Sequence, residues 1–314
     1  MQLSSDPFSD PTNRTERNVE TLKVGELVEG YRVMAEVGRG AASIIYAVQD
    51  PRTKTVWAMK HVIKETEKDD RFIEQAEFEY QIGSKLQHPA LRRIERLITK
   101  KPGFLSKPNE VFMIMELVDG QSVERQRPKY LDEALDVFEK VARAMHFMHT
   151  KGFVHADMKP NNIMVNAQRV VKVIDLGQSC TIGTIKKRIQ GTPDYIAPEQ
   201  VHRRPITAKT DIYNLGATMY WAFTNHFVPT ALGRGGSLVD HIDDSLLERP
   251  KRPIEINKRI PEYIDQLVMD CVEINPDDRP MDMGAVADRI NLIRARVLAE
   301  MELRKSGSFR RMED

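Results

Sequence analysis

The apolar residues of this chain change their spacing once, near residues 118–120, and that change separates two kinds of structure. Before it, YRVMAEVGRG from Tyr31, ASIIYAVQD from Ala42 and TVWAMKHVI from Thr55 are short β-branched and aromatic runs parted by turn residues, the pattern of antiparallel strands. Ile94 to Ile98 and Val111 to Val118 read as two further strands, joined by a loop, KKPGFLSKP, longer than a tight hairpin needs. Between these groups, Asp70 to Leu86 carries Phe72, Ile73, Ala76, Tyr80 and Leu86 among charges and predicts a partly amphipathic helix, closed by His88-Pro89. After Asp119-Gly120, Leu131, Leu135, Phe138, Ala142, Met145 and Met148 recur near the helical period up to Gly152. Further helices are expected over Thr210–Phe223, Pro261–Glu273 and Met283–Met301, with short strands at NIMV (162–165) and VKVID (171–175). Strands first and helices afterwards predict an α+β fold of two lobes. Residues 26–118 would form a small antiparallel β lobe with one main helix, and residues 119–302 a larger, mostly helical lobe. The polar residues 1–25 read as a mobile tail, and the basic stretch within 303–314 as a frayed one.

Charge and apolar runs remove several function classes. Forty-seven basic and 46 acidic residues leave a net charge of +1, without the basic field that nucleic acid or a membrane surface would require. No apolar run approaches the ~20 residues that span a bilayer, and the N-terminus has no apolar core of a secretory signal. Cys180 and Cys271 are too few for a disulfide framework and lack metal-ligand spacing. They suit a reducing, cytoplasmic setting.

The residues able to do chemistry follow a fixed order. Gly38-Arg39-Gly40-Ala41-Ala42-Ser43-Ile44-Ile45 lies between two predicted strands. Glycines there let backbone amides approach phosphate oxygens, although a plain hairpin turn has the same composition. Ala58-Met59-Lys60 ends an apolar strand, and a lysine held there calls for an anion unless it snorkels from an edge. Glu79, on the helix nine residues before His88-Pro89, is the candidate carboxylate, with Glu77 and Glu74 as fallbacks. His155-Ala156-Asp157-Met158-Lys159-Pro160-Asn161-Asn162 then puts a carboxylate, an ammonium and a carboxamide into one short loop. Asp175-Leu176-Gly177 follows after the apolar run VKVI. Carboxylate and amide oxygens are hard ligands that suit magnesium already bound to phosphates.

Taken together, these motifs resemble the eukaryotic-type protein kinase family, in particular its bacterial serine/threonine branch, from about residue 31 to 300. Gly191-Thr192-Pro193-Asp194-Tyr195-Ile196-Ala197-Pro198-Glu199, Asp211 in DIYNLGATMYW and Arg279 in NPDDRP agree with the same family. The resemblance implies that Gly38, Gly40 and Ser43 cover the phosphates of ATP and that Lys60, held by Glu79, binds the α- and β-phosphates. It implies that Asp157 orients the acceptor hydroxyl and takes its proton, that Lys159 neutralises the transferred group, and that Asn162 and Asp175 hold Mg²⁺ or Mn²⁺. Adenine would lie between Ile45, Ala58 and Met164, bonded to the backbone of Glu116 and Val118, with Met115 at the back of the pocket. Thr192 would touch Asp157 and Lys159. With Lys159, it would favour protein serine and threonine over tyrosine as acceptor. Asp211 would brace the catalytic loop, and Arg279 would pair with Glu199.

Three departures from the family pattern carry expectations. Ser43 stands where the pattern has a third glycine. Ala156 stands where it has an arginine that receives a phosphate on the activation segment, so activity is expected without phosphorylation of Ser179, Thr181 or Thr184. Gly83, one turn after Glu79, offers little apolar volume and predicts a mobile helix and a controllable Lys60–Glu79 pair. The same fold also serves nucleotide-binding pseudokinases, the alternative to an active kinase, and small-molecule kinases. The latter lack the Gly191-Thr192-Pro193 and Ala197-Pro198-Glu199 stretches found here. The acceptor sequence, the activating signal and the oligomeric state are not written in these motifs.

Overall fold

The structure, a computed structural model, describes residues 21–40, 42–103, 106–230 and 248–305. The tails at 1–20 and 306–314, with Ser4, Ser5, Ser306 and Ser308, lie outside the described residues. The chain divides into two units. Residues up to Ala76 and Arg96–Leu117 belong to the first, and Glu77–Glu95 with most of the chain after Val118 to the second.

The first unit is built on one antiparallel sheet. Its strands are β1 (Leu27–Val28), β2 (Tyr31–Arg39), β3 (Ser43–Gln49), β4 (Val56–Ile63), β5 (Ile94–Lys100) and β6 (Glu110–Glu116), in the order β1-β2-β3-β4-β6-β5. Side chains alternate across the pleat, and one face gathers Val28, Val33, Ile44, Tyr46, Val48, Met59, Phe112 and Ile114 into a core. Residues directly opposite on neighbouring strands share a face, so the other face carries the rows Gly38–Ile45–Lys60–Met113 and Ala47–Ala58–Met115. The next row, Val62–Val111, packs against Ile73 and Ala76 of α1 (Asp70–Gly83).

The second unit is mostly helical. In chain order it holds β7 (Gln121–Ser122), α2 (Leu131–Thr150), β8 (Phe153–Val154), β9 (Ile163–Val165), β10 (Val171–Val173), β11 (Cys180–Thr181), α3 (Pro198–Val201), α4 (Ala208–Thr224), α5 (Pro253–Ile256), α6 (Glu262–Cys271) and α7 (Met283–Lys305). Helix α4 forms its centre, with residues 210–220 all buried. Thr207 caps its N-terminus by accepting from the Lys209 N–H, and Asn225 in the left-handed region closes it. At Gly216 an added Cβ would lie 2.6 Å from Cβ of Cys271, so only glycine lets α4 and α6 approach this closely.

The α+β class expected from the spacing is the class observed. The two-residue strands β1, β7, β8 and β11 are too short to leave a periodic signal, and none was expected. Helix α1 stops at Gly83, before Leu86, and α7 continues to Lys305. Among the described residues no helix is long and apolar enough to cross a membrane.

Candidate active site

The loop after β8 is held from below by one buried carboxylate. Asp211, near the start of α4, accepts hydrogen bonds at Oδ1 from the Ala156 N–H (2.7 Å) and at Oδ2 from the His155 N–H (2.9 Å). His149 Nε2 lies 2.8 Å from the same Oδ2. Burial alone would raise the Asp211 carboxyl, but the hydrogen bond and charge of His149, with the charge and N–H of His155, outweigh it and hold it below the usual carboxylate range. The clamp keeps Ala156 at φ 63°, a conformation uncommon for a residue with a Cβ.

Asp157, next in the chain, faces two partners. Oδ1 accepts from the Thr192 N–H (2.9 Å) and from its Oγ1–H (2.8 Å), and Lys159 Nζ lies 3.1 Å from Oδ2. Lys159 Nζ also donates to Thr192 Oγ1 at 2.7 Å, closing a triangle of carboxylate, ammonium and hydroxyl. Asn162 Nδ2 donates to the Asp157 carbonyl (2.8 Å), which turns its carboxamide oxygen to the opposite side. The Asn162 carbonyl accepts from the Ile174 N–H (2.9 Å), placing Asp175 one residue away. Asp175 has φ 65°, and its Oδ1 accepts from the Gly177 N–H at 3.1 Å. The structure therefore brings Asp157, Lys159, Asn162, Asp175 and Thr192 into one neighbourhood of the second unit, where Met164 and Val118 also belong. Asn162 and Asp175 supply amide and carboxylate oxygens from two segments joined by the Ile174–Asn162 backbone bond, a donor set that fits a hard divalent cation.

Gly38, Gly40, Ser43, Ile45, Ala58, Lys60, Met115 and Glu116 belong to the first unit. Gly38, Ile45, Ala58, Lys60 and Met115 share the sheet face opposite its core, while Glu116, paired with Trp57, points to the other side. Gly40 donates its N–H to the Ser43 carbonyl at 2.8 Å, so a hairpin closes on Ser43 without a third glycine. Of the three glutamates left open by spacing, Glu79 is fully buried, Glu77 half-buried and Glu74 exposed. Glu79 lies in the second unit, 3.9 Å from Arg92 Nη2. The apolar volume expected to be missing at Gly83 is supplied by Ile94, whose Cδ1 would be 2.4 Å from an added Cβ, with Leu176 Cδ1 at 3.3 Å.

The surroundings of Ala156 are apolar. Its side chain clusters with Val154, Cys180 and Ile206, and β11 pairs with β8 beside it. Ser179 is 1% exposed and its hydroxyl has no hydrogen-bond partner. The hydroxyls of Thr181 and Thr184 lie 3.0 Å apart. Further along, Arg279 and Glu199 form a buried two-pronged pair at 2.8 and 3.0 Å.

Gln200 went unnoticed in the sequence. It bonds the Ala156 and Gln190 carbonyls and the Ala197 N–H. A signal was available: Ala197-Pro198-Glu199-Gln200 has proline at the first helical position and an amide two residues later, the reach-back half of a capping box.

The sequence profile described as "Protein kinase domain" matches residues 31–289. The chain belongs to that family. A protein of Clostridium acetobutylicum named as a probable serine/threonine-protein kinase is 26% identical over 84% of this chain and 40% of its own length. The serine/threonine-protein kinases PknB of Mycobacterium leprae and PknA of Mycobacterium tuberculosis are each 27% identical, over 81% and 87% of this chain. The chain spans 41% and 63% of those two relatives.

Proposed function

We propose that the chain is a serine/threonine protein kinase that transfers the γ-phosphoryl group of Mg-ATP to hydroxyls of a protein. The observation that carries this reading is the Asp157–Lys159–Thr192 triangle, held by Asp211 and followed by Asn162 and Asp175. Asp157 is assigned to orient the acceptor hydroxyl and take its proton, which gives up the contact with Thr192 Oγ1 for one with the substrate. Lys159 is assigned to stabilise charge on the transferred group. Asn162 and Asp175 are assigned to hold the magnesium ion, which when bound neutralises phosphate charge. The sheet face with Gly38, Ile45, Ala58, Lys60 and Met115 is assigned to the nucleotide, with Gly40 and Ser43 at its hairpin, the backbone of Glu116 and Val118, and Met164. Lys60 is assigned to the phosphates, with Glu79 as its carboxylate. The near-neutral charge and the two buried, free cysteines support a cytoplasmic protein acting on protein rather than nucleic acid.

Turnover is proposed to be independent of phosphate on Ser179, Thr181 and Thr184. Ala156 sits among apolar side chains where an arginine would be needed to receive a phosphate, and Ser179 is enclosed. Replacing all three by alanine should leave kcat within about twofold, whereas loss of turnover in a folded triple variant would refute this part.

The activity is tested with radiolabelled ATP, magnesium and a generic basic protein. Wild type should label serine and threonine, and Asp157→Asn should lose roughly 10²–10⁴-fold in kcat. A wild type that binds nucleotide but labels nothing would identify a pseudokinase instead.

A further inference from the structure

The side chain of Gln200 reaches both sides of the contact on which the site depends. Its Nε2 donates to the carbonyls of Ala156 (2.8 Å) and Gln190 (3.2 Å). Its Oε1 accepts from the Ala197 N–H (2.9 Å) and from Asn214 Nδ2 (3.0 Å). A carboxamide has two N–H donors and two acceptor lone pairs, so every bonding position of this side chain is engaged. Gln200 is 4% exposed, and Asn214, which also donates to the Tyr195 carbonyl at 2.7 Å, is 1% exposed.

Two consequences follow from where those carbonyls lie. The Ala156 carbonyl and the Asp157 N–H belong to one peptide plane, so the bond from Gln200 sets the orientation of the plane that carries Asp157. Asp211 holds the plane before Ala156 through its N–H and Gln200 holds the one after it, which together maintain φ 63° at a residue with a Cβ. The Gln190 carbonyl stands two residues before Thr192, the partner of Asp157 Oδ1. Between them Gly191 has φ 133°, and an added Cβ there would lie 3.1 Å from Gln200 Nε2. A bare backbone is what admits the amide at that point.

We propose that Gln200 is a positioning residue for phosphoryl transfer. One neutral amide ties the Asp157 peptide and the segment carrying Thr192 to the buried face of α4, and so fixes the separation between carboxylate and acceptor platform. Because the tie carries no charge, it is present without any added phosphate. Its role is to hold geometry rather than to touch substrate, so its loss should appear in kcat and not in the affinity for nucleotide. The inference rests on the kinase reading above.

Two variants of the full chain test it, Gln200→Met and Gln200→Glu, assayed with Mg-ATP and a basic protein, with folding followed by circular dichroism. Met matches the length and removes all four bonds. Displacements of about 1 Å can cost ~10²-fold in rate, so kcat should fall about 10-fold or more while the KM for ATP stays within about threefold. Glu keeps the accepting oxygen but, when ionised, turns a second acceptor toward two carbonyls. Burial and those carbonyls favour its protonated form, which regains one donor. The ratio of Gln200→Glu to wild-type kcat should therefore rise as pH falls from about 8 to 6. The nearby charged and titratable groups, Asp157, His155, Asp211 and Glu199, are the same in both proteins, so the ratio at each pH removes whatever they contribute. If Met is poorly folded, the pH course of the Glu variant decides. An active wild type with both variants within about twofold of its kcat, or with kcat and KM degraded together and a ratio flat in pH, overturns the inference alone. A wild type without turnover sinks the kinase reading, and the inference with it.

Discussion

Substituting Glu199 by Gln removes one charge from a pair that has no access to water. The Arg279 side chain is fully enclosed and that of Glu199 is 4% exposed. The guanidinium gives Nη1 to Glu199 Oε1 (2.8 Å) and the Lys209 carbonyl (2.8 Å), Nη2 to Glu199 Oε2 (3.0 Å) and the Ile274 carbonyl (3.0 Å), and Nε to the Glu273 carbonyl (2.7 Å). All five donors are engaged, and the group sits 4.9 Å over the Tyr213 ring. A glutamine keeps the shape, but its oxygen accepts one prong while its NH₂ confronts the other. The arginine is left as a buried cation without its counter-charge. Removing one partner of such a pair costs about 3–5 kcal/mol. At about 1.5–2 °C per kcal/mol for a chain of 314 residues, Tm should fall by roughly 5–10 °C. Thermal unfolding followed by circular dichroism at one fixed scan rate measures it. Replacing both residues by apolar ones, Glu199→Leu with Arg279→Met, should not restore the loss, because the carbonyls of Lys209, Glu273 and Ile274 would then lack their donor. A Glu199→Gln protein melting within about 2 °C of wild type, or a double variant as stable as wild type, would refute the claim that this fork holds α3 to the segment around residue 275.

Asp211 gives a pH-dependent contribution of known sign. Its carboxyl is held below the usual value near ~3.9. The stability it adds is therefore fully present above that value and is lost as pH falls through the lower, folded one. The stability gap between wild type and Asp211→Asn, read from urea midpoints, should be largest near neutrality and close in acid; a gap that widens in acid would contradict the assignment. At Gly83, alanine gains ~1 kcal/mol of helix propensity but must displace Ile94, at an overpacking cost of about 1–3 kcal/mol. Gly83→Ala should thus lower Tm, and adding Ile94→Val should recover part of the loss; no recovery would mean that Ile94 is not what fills the space.

What could be read in the sequence was whatever sits close together along the chain. The loop from His155 to Asn162 carries its carboxylate, ammonium and amide within eight residues, so its chemistry is visible without a fold. Alternation in β4 puts Ala58 and Lys60 on one face, whereas Ile45 is joined to them only by what the family resemblance implies, and the strand pairing supplies the register. Spacing favoured Glu79 but could not exclude Glu74 and Glu77, because burial depends on which side of α1 meets the rest of the unit. Ile94 could not be matched to Gly83 for the same reason: the space beside a helix is filled from a distant strand. Gln200 was hidden more deeply. Its partners, Ala156, Gln190, Ala197 and Asn214, come from four different segments, and only their convergence makes an ordinary amide into a four-way tie.

The apolar nook at Ala156 has an evolutionary corollary. On the proposed reading, a phosphate-gated descendant would need a guanidinium where Val154, Cys180 and Ile206 now close around a methyl group. An arginine gained by a single step would have to displace that apolar packing and cost stability before any phosphate could reward it. Gating by phosphate would therefore require coordinated change at several of these positions, a valley that single substitutions do not cross easily. Lineages carrying this arrangement should find it easier to tune output through abundance or binding partners than through a modification of the segment itself.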